Sequence, residues 1–350
     1  MHDRFIAVFS RRPDPRGRRI RNRGQRLTAL LAPDFPLLLT GRTPERGDEL
    51  AGRHGASVRR WDLLDPTPFD ASVRAVVSTV NDPHDRVLSA AVEAGIPYVD
   101  ITRWTTRVAR AATLAGQKSP SAPVYLSSGW MGGVTNIVAA ALAEELGGAS
   151  TIDVSIRYDV NDIAGLDSVD FIDRLGQDFE VMQQGNPITV SPLTDTRWVD
   201  FPGSRTKVGR IDTPEQFTFP MTLGAETANT RIGFSSNAST TALLAAKKVG
   251  LFRWGRGDRF TPLRRGLLYS PGKGGSAQVR IDVTGPSGTT SATIVDRQGQ
   301  AHLTAVGGAL AVRRALADDA RPGVTFPESL PNPRRTVSEL ESFGVAVLRP

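Results

Sequence analysis

The chain has 350 residues, 39% of them hydrophobic and 23% charged, which indicates a globular protein of about two domains and argues against disorder. It contains no cysteine, which excludes disulfides, thiolate nucleophiles and cysteine-ligated zinc or iron–sulfur sites. The net charge of +7 lies in residues 1–26, which hold nine arginines and two aspartates, so the neutral remainder does not indicate a nucleic-acid-binding domain.

The first part of the chain alternates short apolar runs with helical patterns, which predicts a Rossmann-type parallel sheet in an α/β domain. Predicted helices cover 43–53, with Thr43 as N-cap and Pro44 at the first position, and 134–146. A further helix opens with Asp82 as N-cap and Pro83 at the first position, and stops at Gly95. The predicted strands are 5–9, 36–40, 55–62, 75–80, 96–100 and 124–128.

After Gly148 the pattern changes to apolar–polar alternation at period two, which predicts an inserted α+β domain with a mostly antiparallel sheet. A helix at 303–316 follows it. We therefore expect a Rossmann-like domain over 1–128, completed by 303–350, and an inserted substrate or dimerisation domain over 129–302. The predicted strands are 152–158, 188–190, 217–219, 231–234 and 278–283, the last forming a hairpin with 290–295.

No membrane segment or secretory signal is expected. No apolar run reaches about 18 residues, and Arg11-Arg12 is not followed by a sufficient apolar region or an Ala-x-Ala cleavage site. These observations predict a cytoplasmic protein with no membrane partner. Arginine outnumbers lysine 38 to 5, which suggests a GC-rich bacterial genome.

The tip of the second strand suggests a dinucleotide site. In Rossmann folds an acidic residue there binds the ribose 2′-hydroxyl of NAD, whereas an arginine accommodates the 2′-phosphate of NADP. Here the strand ends in Gly41-Arg42, which favours NADP as cofactor, with Asp62 at the end of the third strand as a further candidate. The alternative is that Arg42 is a solvated residue ahead of a helix.

The glycine-rich turn that should follow the first strand is absent. Between Phe9 and Leu27 the only glycines are Gly17 and Gly24, and their spacing cannot form the Gly-x-Gly-x-x-Gly turn that brings amides to a pyrophosphate. Because arginine and glycine codons are related by a shift of one base, we hypothesise that residues 10–26 are a frame-shifted translation of such a loop. Arginine side chains as a replacement clamp are the alternative. Because arginines are hard to bury, we expect residues 10–26 to form an exposed, irregular loop.

Several motifs resemble the saccharopine dehydrogenase-like family. They are Val76–Pro83, followed by Ala90–Asp100 with its Glu-Ala-Gly-x-x-Tyr-Val-Asp element, and the turn Gly129–Gly133. Gly323–Glu328 near the C-terminus also fits. The resemblance implies a Rossmann domain with an inserted α+β domain, an NAD(P)-dependent oxidoreductase activity and a small-molecule substrate. It names neither the substrate nor a catalytic residue.

Residues after the fourth and fifth strands are the other cofactor candidates, because these strand ends meet the nicotinamide ribose in such folds. Asp82 and Asp100 each have a structural alternative, as a helix cap and as a turn former. Substrate candidates are Arg103 and the turn Gly129-Trp130-Met131. The amides of this turn could hold a carboxylate, although close packing also explains its glycines. The cofactor candidates after these strands are Val80, Asn81, Asp82 and Asp100.

Other chemistries have little support. Tyr269 and Lys273 match a Tyr-x-x-x-Lys pair, but Pro271-Gly272 forbids the helix that would bring them together. The four histidines have no metal-ligand spacing, so no metal is expected. His302 has two interpretations, as a catalytic acid or base and as a surface histidine at the start of a helix. Three functions stay open: an NADP-linked oxidoreductase, a non-catalytic Rossmann-fold ligand-binding or interaction protein, and an inactive product of a frame-shifted gene. A homodimer is one option for the assembly.

Overall fold

The computed structural model describes residues 5–9, 23–63, 72–127, 129–162, 174–250 and 274–350. The chain divides into two compact units. The first comprises Met1–Val134 and Thr304–Leu330, and the second Thr135–Leu303 and Pro331–Pro350. The sequence assigned all of 303–350 to the first domain, whereas the final strand pairs within the sheet of the second unit.

The first unit is built on a seven-stranded sheet in the order β15-β6-β5-β4-β1-β2-β3. Every neighbouring pair in it is parallel, which confirms the Rossmann-type prediction. Its central strand β4 is buried at five of its six positions and β5 at all three, as expected for a sheet covered on both faces. The strands are β1 (Phe5–Phe9), β2 (Leu37–Gly41), β3 (Ser57–Arg60), β4 (Val73–Ser78), β5 (Tyr98–Asp100), β6 (Pro123–Leu126) and β15 (Gly323–Thr325).

Of the helices in the described residues, four lie wholly in the first unit: α1 (Arg23–Leu31), α2 (Asp48–His54), α3 (Arg86–Glu93) and α4 (Thr105–Gln117). The predicted helix 43–53 is divided, because a short 3-10 turn at Pro44–Arg46 precedes α2. The helix predicted from Pro83 begins three residues later, at Arg86. The apolar face of α3 packs on the sheet, where Val87 and Leu88 are almost fully buried.

The second unit contains a seven-stranded sheet in the order β10-β11-β12-β7-β13-β14-β16 and the hairpin β8–β9. All pairs in the larger sheet are antiparallel except β12 with β7, which confirms a mostly antiparallel inserted sheet. The strands are β7 (Thr151–Tyr158), β8 (Phe179–Gln183), β9 (Asn186–Val190), β10 (Arg197–Phe201), β11 (Ser204–Arg210), β12 (Thr227–Phe234), β13 (Ala277–Gly285), β14 (Gly288–Asp296) and β16 (Ala346–Leu348).

Five more helices complete the described chain: α5 (Val134–Leu146), α6 (Pro214–Leu223), α7 (Asn237–Lys248), α8 (Gln300–Ala315) and α9 (Pro333–Ser342). The predicted strand 217–219 is wrong, because these residues lie within α6. Thr213 at N-cap, Pro214 at the first position and Glu215 in the first turn favour that helix, and burial of Phe219 overrides the strand preference of its aromatic residues. None of the described helices is long and apolar enough to cross a membrane.

Candidate functional site

Most of the predicted cofactor residues lie along the carboxyl edge of the first sheet. Parallel strands end at one edge, and in open α/β sheets ligands bind outside that edge. Gly41 ends β2, and Arg42 follows it with an exposed side chain. Asp62 comes two residues after β3, and Val80 two residues after β4. This edge therefore gathers the residues that the sequence proposed for an adenosine and a nicotinamide ribose.

Part of the arginine-rich segment is helical. The sequence predicted an exposed, irregular loop over residues 10–26, but α1 begins at Arg23, so Arg23–Arg26 form its first turn. Leu27 and Leu31 of the same helix are fully buried and fix it in the fold. Residues 10–22, which hold the expected phosphate-binding turn, lie outside the described residues.

The loop after β4 is held by internal hydrogen bonds. The Val80 carbonyl accepts from Ser78 Oγ (2.8 Å) and Thr102 Oγ1 (3.1 Å). Asp82 is nearly fully buried, and its two carboxylate oxygens accept from the backbone of His84 (3.1 Å) and of Val87 (2.9 Å). The N-cap of α3 is Asp85 and not Asp82 as predicted, because the helix begins three residues later than expected. Asp82 still accepts from the first turn of α3, which accounts for its carboxylate without a ligand.

A site residue that the sequence did not reveal is Arg107, in the first turn of α4. One of its Nη atoms donates to Asn81 Oδ1 and, at 3.4 Å, to the Asp82 carbonyl. Its guanidinium lies 4.4 Å from the ring centre of Trp104, a cation–π distance. Arg107 thus places a positive charge at the loop that follows β4. The sequence gives little indication of this role, because Arg107 is one of 38 arginines.

Asp100, predicted as a cofactor residue, is the centre of a buried network. Its Oδ1 accepts from the Thr102 backbone and hydroxyl, both at 2.9 Å. Its Oδ2 accepts from the Tyr98 hydroxyl (2.8 Å) and Arg103 Nε (2.7 Å). The side chain has no exposed surface, so both oxygens are engaged by the protein itself.

Arg103, predicted as a substrate residue, joins the same network. It also donates to Asp85, and the half-exposed Arg110 pairs with the other Asp85 oxygen at 2.6 Å. Burial lowers the pKa of Arg103, but the carboxylates of Asp100 and Asp85 outweigh it and hold that pKa above its usual value. For Tyr98, in contrast, burial itself raises the pKa well above its usual value. These groups brace the edge of the sheet.

The turn Gly129–Gly133 is packed against the rest of the first unit. Met131, Gly132 and Gly133 all have positive φ angles (56°, 70° and 84°), a conformation that favours glycine. A Cβ on Gly132 would lie 2.5 Å from the Thr304 carbonyl oxygen, and one on Gly133 would lie 2.3 Å from Pro327 Cγ. Close packing therefore accounts for both glycines, whereas substrate binding by Trp130 or Met131 stays a prediction.

His302 is not a surface histidine. It lies in the first turn of α8, is 5% exposed, and its Nδ1 is 2.7 Å from Oδ2 of the fully buried Asp296. This pair belongs to the second unit. Within the described ranges, no group of three or more histidine, cysteine or acidic residues could hold a metal ion.

The second sheet carries a charged cluster of Arg197, Arg210, Arg231, Asp153 and Asp195. Arg231 bonds Asp153 (2.5 Å) and Asp195, Arg210 reaches Asp195 at 2.9 Å, and Arg197 reaches Asp153 at 3.1 Å. The hydrogen bond from Arg231 lowers the pKa of Asp195. Because the charges pair with one another, the cluster ties β7, β10, β11 and β12 together.

Comparison with solved structures identifies the fold. Saccharopine dehydrogenase (L-Glu forming) from Saccharomyces cerevisiae superposes with a TM-score of 0.66 over 99% of both chains, at 13% sequence identity. The chain has the saccharopine dehydrogenase fold. Scyllo-inositol dehydrogenase from Lactobacillus casei, solved with NAD(H) and scyllo-inositol, aligns over 98% of both chains at 12% identity with a TM-score of 0.46. Myo-inositol dehydrogenase from Corynebacterium glutamicum aligns over 99% of both at 14% identity and 0.45.

Sequence comparison gives no further relative, because neither a protein-family model nor a curated protein sequence matches the chain. At 13% identity the agreement with the saccharopine dehydrogenase structure concerns the fold. The function must therefore be argued from the residues of the site.

Proposed function

We propose that the chain is an oxidoreductase of the saccharopine dehydrogenase-like type, which uses a nicotinamide dinucleotide to oxidise or reduce a small molecule. The observation that carries the proposal is the carboxyl edge of the first sheet, where Arg42 follows β2 and the loop Val80–Asn81 follows β4. The fold agrees with that of the yeast enzyme over 99% of both chains. The motifs at Val76–Pro83 and Ala90–Asp100 support it independently, since they lie on β4, β5 and the connection between them.

The cofactor site lies along the carboxyl edge of the first sheet. Arg42 is exposed at the tip of β2, with no ion pair among the described residues, and a guanidinium there suits the 2′-phosphate of NADP. We assign the nicotinamide half to the loop Val80–Asn81 together with Arg107, which reaches that loop from α4. Asp62 completes the ribose side. The dinucleotide, when bound, supplies the hydride chemistry.

Asp100 and Arg103 are left out of this site, because each is buried and engaged by protein groups. Asp82 is treated in the same way, since its carboxylate caps α3. The proposed site is therefore smaller than the set of residues that the sequence suggested. Its partner is a small-molecule substrate.

Affinity for the dinucleotide is expected to be low. Each amide of a glycine-rich turn contributes a charge-assisted hydrogen bond worth about 1.5–3 kcal/mol, and the loss of two weakens binding by about a hundredfold or more. A typical micromolar site would thus become a millimolar one. The gene then encodes an intact fold with an impaired phosphate site.

The test is a fluorescence titration of three proteins with NADPH. They are the natural chain, a variant in which residues 10–22 are replaced by a Gly-x-Gly-x-x-Gly turn that leads into α1, and a control with a serine–alanine segment of equal length. The glycine variant should bind in the micromolar range, and the other two in the millimolar range. The control separates the gain of amides from the loss of arginines.

Other results of the titration would refute specific parts of the proposal. If neither the natural chain nor the glycine variant binds NADPH or NADH, the oxidoreductase proposal fails and a non-catalytic ligand-binding protein takes its place. If the natural chain binds at micromolar concentration, the arginines are a working phosphate clamp and our account of the loop is wrong. Resequencing the gene tests the frame-shift hypothesis, which an intact frame encoding these arginines would refute.

A further inference from the structure

A buried aspartate in a left-handed conformation ends the loop that follows β4. Asp85 has a φ of 53° and a ψ of 27°, a region that residues with a Cβ adopt rarely. It is 3% exposed, and its side chain does not cap α3 although it occupies the N-cap position. Such a conformation persists only where the surroundings impose it, and residues of this kind cluster at functional sites.

Two arginines impose the conformation of Asp85. Arg103, itself 3% exposed, donates to Asp85 Oδ1 through Nη1. Arg110 Nη2 lies 2.6 Å from Asp85 Oδ2 and also donates to the Pro83 carbonyl at 3.0 Å. Both oxygens of the carboxylate therefore have a charged partner, and such contacts are stronger than neutral hydrogen bonds. Loss of the carboxylate would release the end of the loop from both arginines.

The same stretch of chain holds the loop 80–85 at its other end. Arg107 and Arg110 are three residues apart on α4 and so lie on one face of it, and Arg103 precedes this helix by two residues. Arg103 and Arg110 contact the end of the loop, whereas Arg107 contacts its beginning, at Asn81. The three arginines therefore fix the loop between two points.

The contact at the beginning of the loop orients the amide of Asn81. Arg107 Nη1 donates to Asn81 Oδ1. A guanidinium has donors and no acceptor, so it must face the amide oxygen, and the two hydrogens on Nδ2 are left to donate elsewhere. Asn81 is half-buried, and a ribose hydroxyl is an acceptor for such a donor. Where Nδ2 lies depends on the backbone of the loop, which is anchored at Asp85.

We propose that Asp85 is a positioning residue of the dinucleotide site. By anchoring the loop 80–85 to Arg103 and Arg110, it places Asn81 Nδ2 where the amide donates to a hydroxyl of the nicotinamide ribose. The inference rests on the proposed function and extends it to a residue that is buried away from the ligand. It requires that loss of the anchor weakens binding of the whole dinucleotide and spares binding of the adenosine half at the tip of β2.

The first experiment compares two ligands by ligand-observed NMR, which measures millimolar affinities. They are NADPH and adenosine 2′,5′-bisphosphate, which contains the adenosine half and lacks the nicotinamide ribose. Asparagine tolerates the left-handed backbone, but in Asp85→Asn one amide oxygen replaces two carboxylate oxygens and cannot hold both arginines. NADPH affinity should fall about two- to tenfold, which corresponds to one hydrogen bond, and bisphosphate affinity should stay unchanged. A general disturbance of the fold would lower both affinities.

A second variant guards against misfolding of the first. Arg110 is half-exposed, so Arg110→Met removes the outer contact of Asp85 and leaves the buried pair with Arg103 intact. It should show the same selective loss of NADPH affinity. Lys118→Met is the matched control, because Lys118 pairs with Glu93 and so joins α4 to α3 at their C-terminal ends, away from the loop. It should bind both ligands as the natural chain does.

The second experiment needs no ligand. Amide hydrogen exchange, followed by mass spectrometry, measures how often the segment 79–87 opens. Exchange in this segment should be several-fold faster in Asp85→Asn and Arg110→Met than in the natural chain, and unchanged in Lys118→Met. Equal exchange in all four proteins would mean that the arginines do not hold the loop and would overturn the proposal.

The outcomes separate the positioning role from the proposed function. If Asp85→Asn and Arg110→Met bind NADPH as the natural chain does, or lose affinity for both ligands equally, the positioning role is overturned and the oxidoreductase stands. If only the chain with a restored glycine turn binds NADPH measurably, the same variants in that chain decide. If neither chain binds NADPH or NADH, the oxidoreductase is rejected and the positioning role with it.

Discussion

Replacing Gly132 by alanine distinguishes a packed turn from a ligand-binding one. Gly132 has a φ of 70°, and its Cβ would lie 2.5 Å from the Thr304 carbonyl oxygen, about 0.9 Å inside the ordinary contact distance of 3.4 Å. The opposing atom belongs to the backbone of α8, so it cannot move aside as a flexible side chain could. On the opposite side of the contact, a Cβ on Gly307 would lie 2.3 Å from the Gly132 carbonyl oxygen.

The magnitude follows from two contributions. A left-handed conformation costs a residue with a Cβ about 1–2 kcal/mol, and overpacking of a close contact adds about 1–3 kcal/mol. We therefore expect Gly132→Ala to lower the free energy of unfolding by about 2–5 kcal/mol. Gly55→Ala is the matched control in the same unit, because Gly55 has a similar φ of 62° and nothing within 4 Å of its Cβ position. It should lose only the first contribution.

The assay is urea unfolding followed by circular dichroism, combined with NADPH titration of the folded proteins. A Gly132→Ala protein that is as stable as the Gly55→Ala control would refute the packing argument. If that protein had also lost NADPH binding, the turn would contact the dinucleotide, a role that differs from the substrate role predicted for Gly129–Met131.

Three further predictions concern charged groups. In the chain with a restored glycine turn, Arg42→Asp should weaken NADPH binding about 10- to 100-fold more than NADH binding; equal losses in the same titration would remove Arg42 from the site. Arg103→Met leaves two buried carboxylates without their cation and should lower the free energy of unfolding in urea by about 3–5 kcal/mol. Arg110→Met, at a half-exposed pair, should lower it by less than about 1 kcal/mol. Similar losses in the two variants would contradict the bracing role of Arg103. The pKa of Asp195 is lowered by Arg231, so the contribution of Asp195 to stability is present above about pH 4 and is lost as the pH falls further. The thermal unfolding temperature of Asp195→Asn should therefore depend less on acid pH than that of the natural chain. An identical pH dependence in the two proteins would contradict the role of this ion pair.

The elements of the candidate site were predictable where local pattern and strand position decide the outcome. Arg42 and Asn81 follow buried parallel strands, and such strands end at one edge, so their placement follows from the strands alone. Asp100 shows the limit of this reasoning. Its position at the end of β5 was correctly predicted, but its burial and its four donors come from Tyr98, Thr102 and Arg103. A sequence does not reveal which strand-end carboxylate turns inward.

Arg107 and His302 needed the tertiary structure for a similar reason. Arg107 reaches Asn81 across 26 residues of sequence, and such contacts depend on how α4 packs beside the β4 loop. The predicted surface position of His302 was wrong because the turn from β14 folds Asp296 back onto the first turn of α8. Side-chain pairs of this kind arise from the geometry of turns rather than from periodicity.

The sequence by itself determined the two architectures, because periodicity and capping are local properties. The bounds of α5 at Val134–Leu146 and of β1 at Phe5–Phe9 agree with the predicted ones. Only the tertiary structure decided that β12 pairs in parallel with β7 and that the final strand joins the second sheet. These outcomes depend on which distant surface buries an apolar face or completes a strand's hydrogen bonds, and that choice is made only when the whole chain has folded.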